Sequence, residues 1–185
     1  MLFRKSSGAD QREFSCEFAK LVSVVVAPPT IVLLATVVFS LWSPIGLGSL
    51  SAPFSILICF LCFVFCPFFA VLYFYKKKYS DLDVSKRETR TPMLVIAIAS
   101  YSVAALIFAL TSTRILVLLA LGCYFVSLIV LAVNLFWKVS IHCAGVTGPI
   151  FSLIFVFGVN ALPLAAIIGL VGWSRIKPVS YTHLT

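Results

Sequence analysis

Residues that can bind and transfer a phosphate occur at three separate places in an otherwise apolar chain. Arg90 lies in a charged segment, Ser140 and His142 follow a long uncharged stretch, and Arg175 follows the last such stretch. A guanidinium binds two phosphate oxygens at once, and a hydroxyl can donate to a third. An imidazole titrates near neutral pH and can protonate a leaving oxygen. Together these residue types indicate a phosphate monoester as the ligand.

Each of these residues also has a purely structural interpretation. Arg90 and Arg175 can anchor helices at a membrane surface, Ser140 is a common residue at helix starts, and His142 can cap a helix. Gly145 and Gly148, which follow His142, can simply allow close helix packing. The interpretation as a site therefore depends on the chain bringing its distant polar residues to one place.

Four uncharged stretches would have to position these residues. They cover residues 21–75, 93–113, 115–137 and 139–174. The core of a bilayer is about 30 Å thick and takes about 20 apolar residues per helix. The stretches therefore predict an all-α, polytopic transmembrane helix bundle of about six spans, the last two short. The expected spans lie near residues 20–42, 53–75, 93–110, 115–137, 143–158 and 162–173.

The last uncharged stretch is either one long tilted helix or two short ones. Asn160 and Pro163 lie near its middle, and a single helix would place both deep in lipid. Two helices place them at a turn, and return Arg175 to the side of His142. We therefore predict two helices here. The first span should be kinked at Pro28-Pro29, because each proline removes a backbone donor, and Pro67 lies inside the second span.

The cations are distributed unequally between the two ends of this bundle. With the N-terminus inside, Arg114 lies on the far side and the other thirteen of the fourteen Lys/Arg residues share the near side. Cytoplasmic loops carry the Lys/Arg excess. The sequence therefore predicts a cytoplasmic arm (residues 1–19) and a multi-pass domain (20–178) in the cytoplasmic membrane. The thirteen are Arg4, Lys5, Arg12, Lys20, Lys76, Lys77, Lys78, Lys86, Arg87, Arg90, Lys138, Arg175 and Lys177.

Composition excludes an ordinary soluble domain. Hydrophobic residues make up 62% of the chain and charged residues 11%, against about 45–50% and about 25% in soluble domains. The net charge of +8 does not indicate nucleic acid, because the cations lie at span ends, where anionic lipid attracts each by about 1 kcal/mol. Membrane lipids are the expected partners.

Three cysteines share one helical face, since Cys59, Cys62 and Cys66 follow i, i+3 and i+7 spacing. A metal site is conceivable there. Packing is the favoured interpretation, because metal ligands need polar partners of their own and the neighbours are Phe, Leu and Val. We expect no metal, no disulfide and no cofactor.

The order of the polar motifs resembles the type 2 phosphatidic acid phosphatase/haloperoxidase superfamily, in a divergent prokaryotic membrane branch. Arg90-Thr91-Pro92 resembles its Arg-Pro motif, Ser140-Ile141-His142 its Pro-Ser-Gly-His motif, and Ser174-Arg175 its Ser-Arg motif. Gly145 and Gly148 follow the histidine as in that branch. The resemblance covers about residues 76–177 and leaves the first two spans outside.

The resemblance implies a role for each motif. Arg90 and Arg175 would clamp the phosphate, Ser140 would hydrogen-bond a phosphate oxygen, and His142 would be the general acid on the leaving alcohol. A second histidine would form a phospho-histidine that water hydrolyses, without a metal. Lys86 stands in for a family lysine expected at residue 83.

The chain departs from the family pattern at its C-terminal end. Tyr181 occupies the position expected for the nucleophilic histidine, and His183 lies two residues further on. Residues 179–185 resemble a translated sequencing adapter, so we expect a natural protein that continues past about Pro178 and supplies the missing histidine.

Three functions remain open. The leading one is a lipid-phosphate phosphatase acting on phosphatidate or a polyprenyl (di)phosphate. The second is a catalytically inactive membrane scaffold with the same fold. The third is a small transporter, for which Asn134 and Asn160 are the polar candidates.

Overall fold

The computed structural model describes residues 15, 17–19, 21–77, 87–137 and 139–182, without the side chains of residues 87, 88 and 177–182. All regular structure in this part of the chain is helical, which confirms the predicted all-α class. Most of the predicted N-terminal arm, Lys86 and the last three residues lie outside the described residues. The helices are α1 (Glu17–Val25), α2 (Pro28–Trp42), α3 (Ala52–Cys59), a π-helix (Phe60–Phe65), α4 (Cys66–Lys76), α5 (Arg87–Leu110), α6 (Arg114–Asn134), α7 (Ile141–Phe157), a 3-10 segment (Gly158–Leu164) and α8 (Ala165–Thr182).

Four helical runs within the described residues are long and apolar enough to cross a membrane. They are Ala52–Lys76, Thr89–Leu110, Arg114–Asn134 and Ile141–Ile176. The pair α1 and α2 passes the same test as one broken span, bent by 42°. The break falls at Pro28-Pro29, where Ala27 is extended and the prolines begin α2.

The outer surface of the bundle is apolar. Phe155 is 87% exposed and Leu110 is 77% exposed. Inside, a core that includes Phe39, Phe63 and Phe108 joins α2, the π-helix and α5. A protein apolar both inside and outside is suited to lipid as its solvent.

The π-helix lies immediately before Pro67 and follows from it. The Cys66 amide donates to the Leu61 carbonyl, five residues earlier. In that register the Cys62 carbonyl would accept from residue 67, which is a proline without an N–H. Ser100 on α5 replaces this donor, because its Oγ donates to the Cys62 carbonyl at 2.6 Å. The irregular turn before Pro67 is therefore a π-turn that is hydrogen-bonded across to α5.

The last uncharged stretch reverses direction. Gly158 has φ of +65° and ends α7, and the 3-10 segment carries the chain into α8. Val171 on α8 packs in one cluster with Val146 and Ile150 on α7. On a continuous helix, residues 146 and 171 would be about 37 Å apart. Helix α8 therefore returns along α7.

Helix α5 differs from its predicted start. It begins at Arg87 rather than near Met93, and Pro92 lies inside it. Arg90 is consequently part of a helix and 5% exposed, whereas the sequence predicted a charged segment before the span. Its hydrogen bond to the start of α7, described below, accounts for this burial.

At the far end, the loop after α2 docks onto the turn between α5 and α6. The Ser49 hydroxyl donates to the Thr111 carbonyl at 2.7 Å, and the Thr113 hydroxyl donates to the Leu47 carbonyl at 2.9 Å. Gly48, at φ +62°, passes so close that an added Cβ would lie 2.5 Å from the Ser112 carbonyl oxygen.

The substitution Gly48→Ala should therefore lower the free energy of unfolding more than Gly46→Ala does. Both glycines have positive φ, but a Cβ at Gly46 meets nothing within 4 Å. We expect a loss of about 1–2 kcal/mol for Gly46→Ala from strain alone, and about 1–3 kcal/mol more for Gly48→Ala from overpacking. Denaturant unfolding in detergent micelles measures both; equal losses would contradict the docked loop.

Ser100→Ala should cost about 1–2 kcal/mol of unfolding free energy, because it leaves the Cys62 carbonyl without a donor in an apolar surrounding. Ser102→Ala is the matched control on the same helix. Its hydroxyl donates to Ile98, within its own helix, and its loss should change stability by less than about 0.5 kcal/mol. A Ser100→Ala protein as stable as the Ser102→Ala protein would rule out the bond as a support of the π-helix.

Candidate functional site

A cavity of about 700 Å³ opens within the bundle, and four of the predicted site residues line it. They are Arg90 from α5, Ser140 and His142 from the start of α7, and Arg175 from α8. Lys86, the fifth candidate, lies outside the described residues. The volume is in the range of small-molecule sites, about 300–1,000 Å³. Residues far apart in the sequence therefore share one concave surface.

Arg90 joins α5 to the start of α7. It is buried, and its Nη1 donates to the Val139 carbonyl, one residue before Ser140. A buried cation is costly unless it is hydrogen-bonded, and one inside a membrane bundle indicates a functional site by default. The bond fixes the guanidinium beside the beginning of α7.

Ser140 caps α7, because its Oγ accepts from the Cys143 amide at 3.4 Å. The structural interpretation of this serine is therefore correct. The cap uses the hydroxyl as an acceptor, and its O–H remains a donor. His142 lies in the first turn of the same helix, where amides without intrahelical partners and the helix dipole favour an anion. Both side chains thus lie at an end of α7 that suits phosphate.

Arg175 contacts α1 at the wall of the cavity. Its Nη1 donates to the Ser23 Oγ at 3.0 Å, and nearby the Trp173 and Phe18 rings lie 6.4 Å apart between centroids. Helix α1 therefore helps to hold α8 in place.

The first two spans form part of the cavity wall, although the family resemblance leaves them outside. Ser23 lines the cavity together with Pro28, Pro29, Pro67 and Phe68. The signals that could have indicated this are the paired prolines and one hydroxyl in an apolar run. Both are common in membrane helices for other reasons.

The interior of the cavity is mostly apolar. Its lining away from the arginines includes Val32, Phe63, Leu94, Val126 and Val130. Tyr101, Cys123 and Ser127 also line it, and sequence reasoning did not select them. The cavity thus combines a cationic end with an apolar body, which is complementary to an amphiphile with an anionic head.

The remaining polar candidates lie away from the middle of the helices. Asn134 is buried at the last residue of α6, where its Nδ2 lies 3.5 Å from the Thr91 Oγ1. Asn160 is exposed in the 3-10 segment. Within the described residues, no three His, Cys, Asp or Glu side chains are placed to hold a metal ion together.

Gly145 sets the distance between α7 and the start of α2. A Cβ at this position would lie 2.7 Å from the Pro28 Cβ and 2.8 Å from its Cγ, inside van der Waals contact. At Gly148 an added Cβ would meet the Val126 Cγ2 at an ordinary 3.7 Å. The proline ring cannot move aside, so the glycine at 145 is what allows the close approach.

We therefore expect Gly145→Ala to lower the free energy of unfolding by about 1–3 kcal/mol, through overpacking against Pro28. Gly148→Ala is the matched control; it should be neutral, or stabilising by up to about 1 kcal/mol, because alanine has the higher helix propensity. Unfolding of both variants in micelles measures the difference. A Gly145→Ala protein at least as stable as the parent chain would contradict the close approach.

Comparison with known proteins assigns this cavity to no known site. No family model, no curated protein and no solved structure matches the chain. The superfamily resemblance stays a prediction, and a function has to be argued from the residues around the cavity.

Proposed function

We propose that this chain is part of an integral membrane phosphatase that hydrolyses a phosphorylated amphiphile. The observation that carries the proposal is the cavity itself. Arg90, Ser140, His142 and Arg175 were selected from the sequence for phosphate chemistry, and all four line one cavity whose interior is apolar. An anchor at the membrane surface would not need an apolar chamber behind it.

The proposed chemistry assigns one task to each side chain. Arg90 and Arg175 bind the non-bridging phosphate oxygens and stabilise the charge that they carry in the transition state. The Ser140 O–H and the first amides of α7 donate to the same oxygens. His142 gives its proton to the alcohol oxygen as the phosphorus–oxygen bond breaks.

The nucleophile in this scheme would be a second histidine, which the family resemblance implies. Its nitrogen attacks phosphorus while the alcohol leaves with the proton from His142. Water then attacks the phosphorus and gives a proton to His142 as the phosphorus–nitrogen bond breaks, which releases inorganic phosphate and regenerates both histidines. The reaction uses no redox partner and no cofactor.

The proposed topology has about six spans with the N-terminus in the cytoplasm of a prokaryote. Three observations support it. Helix α8 returns along α7, and Lys76 and Lys77 end α4 on the side of Arg90 and Arg175. Arg114 begins α6 at the opposite end of the bundle. Under the positive-inside rule, this distribution supports a cytoplasmic position for the proposed site.

A binding role without catalysis is the second candidate. His142 is the one histidine among the described residues, which favours this role for the present chain. The two candidates differ in one measurable respect. A phosphatase binds orthovanadate and releases phosphate from a substrate, whereas a binding protein only retains the anion.

The 185-residue chain in detergent should bind orthovanadate, and Arg175→Lys should weaken binding about tenfold or more, because lysine cannot form a bidentate fork. Arg114→Lys is the same change at the opposite end of the bundle and should have no effect. Isothermal titration measures both. Equal affinities of the two variants would refute the assignment of Arg175.

In a full-length protein with the second histidine, His142→Ala should lower phosphate release from a lipid phosphate about 10²- to 10⁴-fold, the range for a general acid. Vanadate binding should fall much less. Unchanged phosphate release would refute the assignment of His142 as the general acid.

A further inference from the structure

Two hydroxyl groups lie in the cavity beyond the phosphate end. Tyr101 on α5 and Ser127 on α6 both line it. The structure gives neither hydroxyl a hydrogen-bond partner within the described part of the chain. The Tyr101 ring is positioned by the Phe63 ring, with 5.1 Å between centroids.

Ser127 shares the lack of a partner with the buried Ser40 and Ser55 but, unlike them, lines the cavity. Ser102, Thr147 and Ser152 each donate to the carbonyl four residues earlier in their own helix. That bond is the usual way to satisfy a hydroxyl in an apolar surrounding. Ser127 does not form this bond, so its O–H can donate to a ligand bound in the cavity.

The two hydroxyls lie at about the same depth. Helices α5 and α6 are antiparallel, and the contact of Thr91 with Asn134 fixes their register. Seven residues along each helix lead from that contact to Ile98 and to Ser127. The Tyr101 side chain leans toward the N-terminus of α5, and so toward this level.

The depth of this level below the phosphate end follows from the helix rise. Seven residues at about 1.5 Å each place Ser127 about 10 Å from the level of Asn134 and Thr91. Arg90 adjoins Thr91 on α5 and marks the phosphate end. An extended ligand that spans the two levels needs about seven to nine covalent bonds, at about 1.2 Å of extension per bond.

A plain hydrocarbon chain at this level would bury two hydroxyls without partners, which is unfavourable. A ligand with an acceptor oxygen there would satisfy both. We propose that Tyr101 and Ser127 form a second polar subsite, which binds an ester or ether oxygen about seven to nine bonds from the phosphorus of a phosphorylated amphiphile. The inference rests on the proposed function for the position of the phosphate.

Two synthetic probes of equal chain length test the subsite by binding alone. The first is 3-(palmitoyloxy)propyl phosphate, which carries an ester at the required distance, and the second is icosyl phosphate, which carries none. The parent chain should bind the ester probe about tenfold more tightly in titrations in detergent. The double variant Tyr101→Phe/Ser127→Ala should lose this preference and bind icosyl phosphate as the parent does.

Matched controls keep the result specific. Tyr124→Phe and Ser102→Ala make the same chemical changes on the same pair of helices at residues that do not line the cavity, and both should keep the tenfold preference. The subsite is refuted if the double variant keeps the preference for the ester probe, or if it binds both probes more weakly by the same factor. Neither outcome affects vanadate binding through Arg175. If neither probe binds the parent chain, the proposed function and the subsite fail together.

Discussion

The return of α8 along α7 is the constraint on which the cavity depends. Gly158 makes the reversal possible, because its positive φ is one that residues with a Cβ rarely adopt. Packing of Val171 against Val146 and Ile150 then holds the two helices together. Without this reversal, Arg175 would lie far from His142, and the cavity wall would lose this arginine.

The bundle satisfies most of its polar groups internally, as a protein in lipid must. Three backbone carbonyls accept hydrogen bonds from side chains of other segments. The Cys62 carbonyl accepts from Ser100, the Leu47 carbonyl from Thr113 and the Val139 carbonyl from Arg90. These bonds join segments distant in the sequence, so they fix how the helices pack as well as satisfying the backbone. Against this background, hydroxyls that face a cavity without partners indicate a place for a ligand.

The helices and the grouping of the site residues could be predicted from the sequence, because lipid thickness sets the length of an uncharged span. The reversal near Asn160 and Pro163 then follows, and with it the approach of Arg175 to His142. The predicted start of α5, near Met93, was wrong. The sequence alone does not indicate that Arg90 is helical, because its hydrogen bond to the Val139 carbonyl joins distant segments. Span lengths carry no information about such a contact between distant segments.

The cavity wall was harder to predict for a related reason. Helices that are apolar on every side give no periodic signal for the face that turns inward. Tyr101, Ser127 and Ser23 therefore could not be separated from ordinary residues of a membrane helix. The charged residues were identifiable because a charge in an apolar chain is rare, whereas a hydroxyl is not.

The π-turn before Pro67 makes one wall of the cavity depend on residue count. An α-helix turns about 100° per residue, so removing one residue between Cys59 and Pro67 would rotate everything that follows by roughly that angle. Pro67, Phe68 and Leu72 would then face a different direction, although every residue type in the wall was kept. A related protein with a one-residue deletion between Cys59 and Pro67 would keep the helix bundle, but its cavity would accept ligands of a different shape.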